Sequence, residues 1–166
     1  MADGIDIKVD TTDLKAVFDN LATKQRDKII RTALKKAAEV ERAAIAYAAP
    51  EKVGKGGILP DGALRNDITT RMGKDEQGNL IAIVGPGKYT RQVANWVEYG
   101  HRIVTGGYLK LLKNGKKRGP GEESGTVEPH PFIRPTAEAI QNEVTDTLAN
   151  TLAEEITKAA SSVKGN

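Results

Sequence analysis

Tyr89-Thr-Arg-Gln-Val-Ala-Asn-Trp-Val-Glu-Tyr-Gly-His101, with Glu128-Pro-His-Pro-Phe-Ile-Arg-Pro135 further along, is the stretch from which the fold is read. Between Arg91 and Tyr99 the apolar residues Val93, Trp96 and Val97 fall on one side at helical spacing, which predicts a short helix. Gly100 follows as its C-terminal breaker, since glycine alone enters the left-handed region without a steric penalty. Trp96, Val97 and Tyr99 concentrate large side chains in a chain that is only 4% aromatic, and anchors of this kind hold either a core or an interface. Arg134, tightly flanked by Ile133 and Pro135, calls for a carboxylate or carbonyl partner, and Glu98 is the candidate.

Working outward, Gly4-Ile-Asp-Ile-Lys-Val-Asp10 alternates as a short strand does, and Thr11 or Thr12 can cap a following helix. Leu14, Val17, Phe18 and Leu21, then Ile29, Ile30, Ala33, Leu34, Ala37, Ala44, Ile45 and Ala48, keep to one side of that helix while charges occupy the other. Lys24 is a point where it can break, and Pro50 ends it because its ring and missing N–H cannot continue the ladder. Unbroken, it would reach roughly 50 Å at about 1.5 Å per residue, longer than a small globule covers unaided. Residues 51–62 are Gly-rich and read as a loop. Leu64–Met72 and Leu80–Gly85, separated by Asp75-Glu-Gln-Gly-Asn79, read as a β-hairpin. Tyr108–Lys117 reads either as a basic strand turning at Asn114-Gly115 or as a disordered loop, since Gly119–Gly125 offers nothing apolar to bury. Pro135 then sits where helices begin, and Ile140, Val144, Leu148, Leu152 and Ile156 form an i, i+4 stripe. The expected fold is α+β: long N-terminal and C-terminal amphipathic helices packed on a small antiparallel sheet, with a short central helix. A single domain over 1–166 is expected, with flexible loops near 51–62 and 104–127 and a frayed tail at 161–166.

Composition bounds the function. A chain of 166 residues is long enough for one core, but its Ala-rich stretches and abundant Gly leave few large side chains to fill it, which favours packing against copies of itself or against other proteins. Without cysteine, disulfides and thiolate chemistry are excluded. No apolar run is long enough to form a membrane-spanning helix, and the acidic start at Met1-Ala-Asp-Gly-Ile-Asp6 lacks the basic region of a secretory signal; the cytosol, or a particle assembled there, is the expected location. The net charge is +3 and the pI about 9.0, unevenly spread. Arg102, Lys110, Lys113, Lys116, Lys117 and Arg118 carry no acid among them, whereas the C-terminal helix is acidic. That basic loop is read either as a solvated loop or as a surface for nucleic acid or an acidic partner.

Catalytic, cofactor and metal constellations are not found. Gly85-Pro-Gly-Lys-Tyr-Thr90 falls short of a phosphate-binding loop, with Ala82 in place of the first glycine and Tyr89 in place of the metal-binding hydroxyl. His101 and His130 lie in separate segments without a ligand partner at metal-binding spacing, so a zinc site would need Glu98 or Glu128. There is no Gly-x-Ser-x-Gly elbow. The expectation is a protein that is not an enzyme, with no cofactor and no metal.

The order of features, from Ala48-Ala-Pro50 through Gly62-Ala-Leu-Arg-Asn-Asp-Ile68, Val84-Gly-Pro86 and Trp96-Val-Glu-Tyr-Gly100 to Pro131-Phe-Ile-Arg-Pro135 before a last helix, resembles the minor tail component, or tail-completion and neck, family of lambdoid and other long-tailed phages, the family of lambda minor tail protein Z. The resemblance runs from about Leu14 to about Ile156. His101 stands where many relatives carry a small hydroxyl residue, and the basic insertion from Gly106 to Gly125 is longer than the family requires. The resemblance implies a structural virion protein of the neck or head-proximal tail end, acting in tail completion and head–tail joining. It implies a homo-oligomeric ring, a hexamer among the options, touching neighbouring tail and head-connector proteins and assembled in the host cytoplasm. It implies subunit or partner contacts through Trp96, Glu98, Tyr99, Phe132 and Arg134, for which core packing is the competing reading. In that setting Lys110, Lys113, Lys116, Lys117 and Arg118 would meet DNA in the channel, or an acidic partner, without sequence readout. Two alternatives use only part of the chain: a free, non-sequence-specific nucleic-acid-binding protein, and a small hydrolase built on His101 or His130.

Overall fold

The structure is a computed structural model that describes residues 18, 23–53, 59–105 and 122–164. Helix α1 spans Thr23–Ala48, α2 Ala63–Asn66, β1 Ile68–Lys74, β2 Leu80–Pro86, α3 Arg91–Tyr99, β3 His101–Thr105, β4 Glu122–Val127, α4 Ile133–Ala139 and α5 Gln141–Lys164. The fold is α+β, with the long N-terminal and C-terminal helices and the short central helix that the periodicity predicts. The strands form two separate two-stranded sheets, β1–β2 and β3–β4, where one small sheet is expected. The strand expected at Gly4–Asp10 and the hairpin expected around Asn114-Gly115 lie outside the described residues.

The described residues fall into two compact units, one within Met1–Glu41, Thr70–Ile83 and Gln141–Asn166, the other within Arg42–Thr69 and Val84–Ile140. Helix α1 and the β1–β2 hairpin each contribute to both.

In the first unit α1 and α5 lie side by side. Ile29 packs on Ile156, with Phe18, Leu152 and Ala159 around them, and Ala33 and Ala37 extend the buried face of α1 at i, i+4 spacing. The hairpin turns at Asp75–Asn79: the Asp75 carboxylate accepts the Asn79 backbone N–H at 2.7 Å and its side-chain amide at 2.9 Å, while Gly78 adopts φ 85°. That short polar side chain closing on its own turn is why Asp stands there.

In the second unit the end of α1 supplies Ile45, Ala46 and Ala49, to which Leu59, Leu64, Ile68, Val93, Ala94 and Phe132 add a core. The Arg65 Nε–H donates to the Ala46 carbonyl at 3.2 Å, satisfying an acceptor that the ending helix leaves open.

Three expectations need correction. The strand expected from Leu64 starts at Ile68, because Ala63–Asn66 forms α2. The last helix begins at Ile133 rather than Pro135, and it is split at Ile140 (φ −103°, ψ 7°) into α4 and α5. The loop expected over 104–127 contains strand at both ends: β3 pairs antiparallel with β4, His101 opposite Val127, with an irregularity between Ile103 and Val104. Backbone pairing, which side-chain hydropathy does not report, forms this ribbon out of residues with little to bury.

Candidate functional site

Helix α3 buries Val93, Ala94 and Glu98. Glu98 lies four residues after Ala94, so it falls on the buried side of the helix. At 3% exposure a carboxylate needs donors, and it finds them 34 to 36 residues later: Oε2 accepts the N–H of Phe132 at 2.8 Å and of Ile133 at 2.9 Å, and Oε1 accepts that of Arg134 at 3.0 Å. These are N–H groups at the start of α4 that no turn of helix satisfies. Burial pushes the Glu98 carboxyl up, but the three backbone donors, reinforced by the positive charge of Arg134, outweigh it and hold the group below the ordinary glutamate value of 4.5. Both oxygens are thereby engaged by main-chain donors, and Glu98 holds this junction together as a buried anion.

The same junction is closed on its other side. The His130 N–H donates to the Val97 carbonyl at 2.7 Å. Gly100 turns the chain with φ 71°, and a Cβ there would meet the Val127 carbonyl oxygen at 2.5 Å and the Pro129 nitrogen at 3.1 Å. Trp96-Val-Glu-Tyr-Gly100 and Pro131-Phe-Ile-Arg-Pro135 thus meet in space through main-chain N–H groups that donate to the Glu98 side chain.

A second buried anchor starts α3. Thr90 is fully buried and gives both its backbone N–H, at 3.0 Å, and its hydroxyl, at 2.9 Å, to Asp67 Oδ2. The Gly87 N–H donates to the Asp67 carbonyl at 2.7 Å, and a Cβ on Gly87 would land on the Asp67 carboxylate. Sequence reasoning passed over Asp67, Gly87 and Thr90. The available signal was a hydroxyl residue immediately before a helix, the usual capping position, but nothing local names its partner 23 residues back.

The expected contact residues divide by exposure. Phe132 is in the core. Trp96 is half-buried and stacks on His101, ring centroids 5.1 Å apart at 30°, and the buried His101 Nδ1 has no hydrogen-bond partner among the described residues. Tyr99 is 69% exposed. The Arg134 side chain is exposed, and its backbone N–H, not a guanidinium hydrogen bond, reaches Glu98. Beside them the β3–β4 ribbon exposes Ile103, Val104 and Val127, and Arg102 pairs across it with Glu123 at 3.3 Å. Lys110, Lys113, Lys116, Lys117 and Arg118 lie outside the described residues. Among the described residues no group of three or more His, Asp or Glu is placed to hold a metal ion, and no helix is long and apolar enough to cross a membrane.

A family model described as "Bacteriophage HK97-gp10, putative tail-component" matches residues 12–100, more than half of the chain. The match takes in α1, the β1–β2 hairpin and α3, and ends on the glycine that turns the chain toward β3. No curated protein and no solved structure matches the chain. The chain belongs to the HK97-gp10-like family of bacteriophage tail components.

Proposed function

We propose that this tail component is a non-enzymatic tail-completion subunit, similar in role to lambda minor tail protein Z, which sits at the head-proximal end of the tail, closes into a homo-oligomeric ring and joins tail to head. The observation that carries the reading is the Glu98 junction. It spends a buried carboxylate on holding backbone in place rather than on chemistry, and next to it stand the exposed Tyr99 and the exposed apolar residues of the β3–β4 ribbon. Exposed large apolar side chains beside a rigid junction suit a subunit contact, and a head-to-tail contact repeated by rotation closes a ring. In this reading Tyr99 and Arg134 make the contact, and Trp96, Glu98 and Phe132 shape it from behind.

The test is microscopy of particles from the phage or prophage that carries the gene, with the reading frame intact or disrupted. Filled heads beside unjoined tails in the disrupted sample support the proposal; normal infective particles overturn it. Tyr99→Ala should retain folding and lose assembly, and normal assembly of that variant removes Tyr99 from the contact.

A further inference from the structure

Helix α1 carries a second feature that the junction does not use. Lys24, Lys28, Arg31 and Lys35 are all exposed and, at 3.6 residues per turn, fall within about 60° of the helix circumference over about 16 Å of its length. With Asp27 and Thr32 they line a shallow open depression. Asp27, on its margin, is the one acid of that lining.

Like charges at i, i+3 and i, i+4 destabilise a helix, and here Lys24 with Lys28, Lys28 with Arg31, and Arg31 with Lys35 stand in those relations. Other lysines of the same unit are matched by acids: Lys36 with Glu154 at 3.9 Å and Lys158 with Glu155 at 2.9 Å. Lys28 adds to the positive field on Glu155, but the hydrogen bond of that carboxylate goes to Lys158. Among the described residues none of the four stripe cations forms an ion pair.

The chemistry of the stripe selects its ligand. Protein interfaces are depleted in lysine and enriched in aromatic residues at their centre, whereas three of these four cations are lysine and the lining holds no apolar side chain. Single-stranded nucleic acid is held by aromatic stacking, and no aromatic lines the stripe. A row of cations without apolar or stacking groups suits the phosphate backbone of a duplex, where neutralised phosphates release condensed counterions. We infer that the exposed face of α1 formed by Lys24, Lys28, Arg31 and Lys35 is a binding site for the backbone of double-stranded DNA, without sequence readout. The inference stands apart from the ring reading.

The experiment is fluorescence anisotropy of a labelled duplex of mixed sequence with the purified full chain, across a salt series. Four phosphate contacts give a slope of log K against log salt of about −3.6, which is roughly a 100-fold loss between about 50 and 200 mM. The double variant Lys28→Gln/Arg31→Gln should lower affinity and reduce the slope by about 1.8. The independent pair Lys24→Gln/Lys35→Gln should do the same, so that misfolding of one variant, read by circular dichroism, leaves the other as the test. Absence of duplex binding at low salt overturns the site. So does an unchanged slope in a folded double variant, which would move the contact to other cations of the chain, such as those from Lys110 to Arg118. Tighter binding of single strands than of duplex, or equal competition by an acidic polypeptide, overturns the choice of ligand.

Discussion

The two compact units use opposite means to hold helices in place. In the first, α1 and α5 lie along an apolar seam of Ile29 and Ile156, continued on α1 by Ala33 and Ala37, and the ion pairs, such as Lys36 with Glu154, stand in solvent at its edge. In the second, two acids remote in sequence start the next helix: Asp67 takes the N–H and hydroxyl of Thr90 ahead of α3, and Glu98 takes three N–H groups at the start of α4. Apolar periodicity suffices to lay two long helices side by side. Changing chain direction inside a small core leaves main-chain donors that water cannot reach, and there a buried carboxylate supplies the acceptors.

The contrast breaks most directly at Glu98. Glu98→Ala strands three backbone donors, one of them fully buried, and should cost about 3 kcal/mol; equilibrium unfolding in urea measures it, and a loss below about 1 kcal/mol would show that water or another group replaces the carboxylate. Next in size is Gly100→Ala, which combines a disallowed φ with collision against the Val127 carbonyl and should cost about 2 kcal/mol. In the helix-pair unit the order of sensitivity reverses, because volume counts there and charge does not. Ile156→Val should cost about 1 kcal/mol, while Lys36→Gln, removing an exposed pair, should change the unfolding free energy by less than about 0.5 kcal/mol. A large effect of Lys36→Gln, or none of Ile156→Val, would erase the distinction.

The same division explains what the sequence discloses. The stripe on α5 from Val144 to Ile156, the end of α1 just ahead of Pro50, the β1–β2 hairpin around Asp75–Asn79 and the stop at Gly100 all follow from period or from one residue's backbone preference, which are local properties. The break at Ile140 falls on the first residue of the expected apolar stripe and carries no local mark. Glu98 was visible as a candidate partner for Arg134, but the sequence suggested a side-chain pairing where the structure has the Glu98 carboxylate accepting main-chain N–H groups. Asp67 was hidden because its partner is 23 residues away. The row of cations on α1 was read as the solvated side of an amphipathic helix, and its continuity shows only once the exposed side chains are placed.

The junction at Glu98 is tested most directly by following the amide signals of Phe132, Ile133 and Arg134 through an acid titration by NMR, in the wild type and in Glu98→Gln. A carboxyl whose folded value is depressed contributes its full stability above the unfolded value, near 4.5, and loses that contribution as the pH falls through the lower folded value. The three amides should therefore titrate together with a common midpoint below 4.5, and Glu98→Gln should remove that transition. Midpoints at or above the ordinary glutamate value, or three amides indifferent to the substitution, would contradict the account.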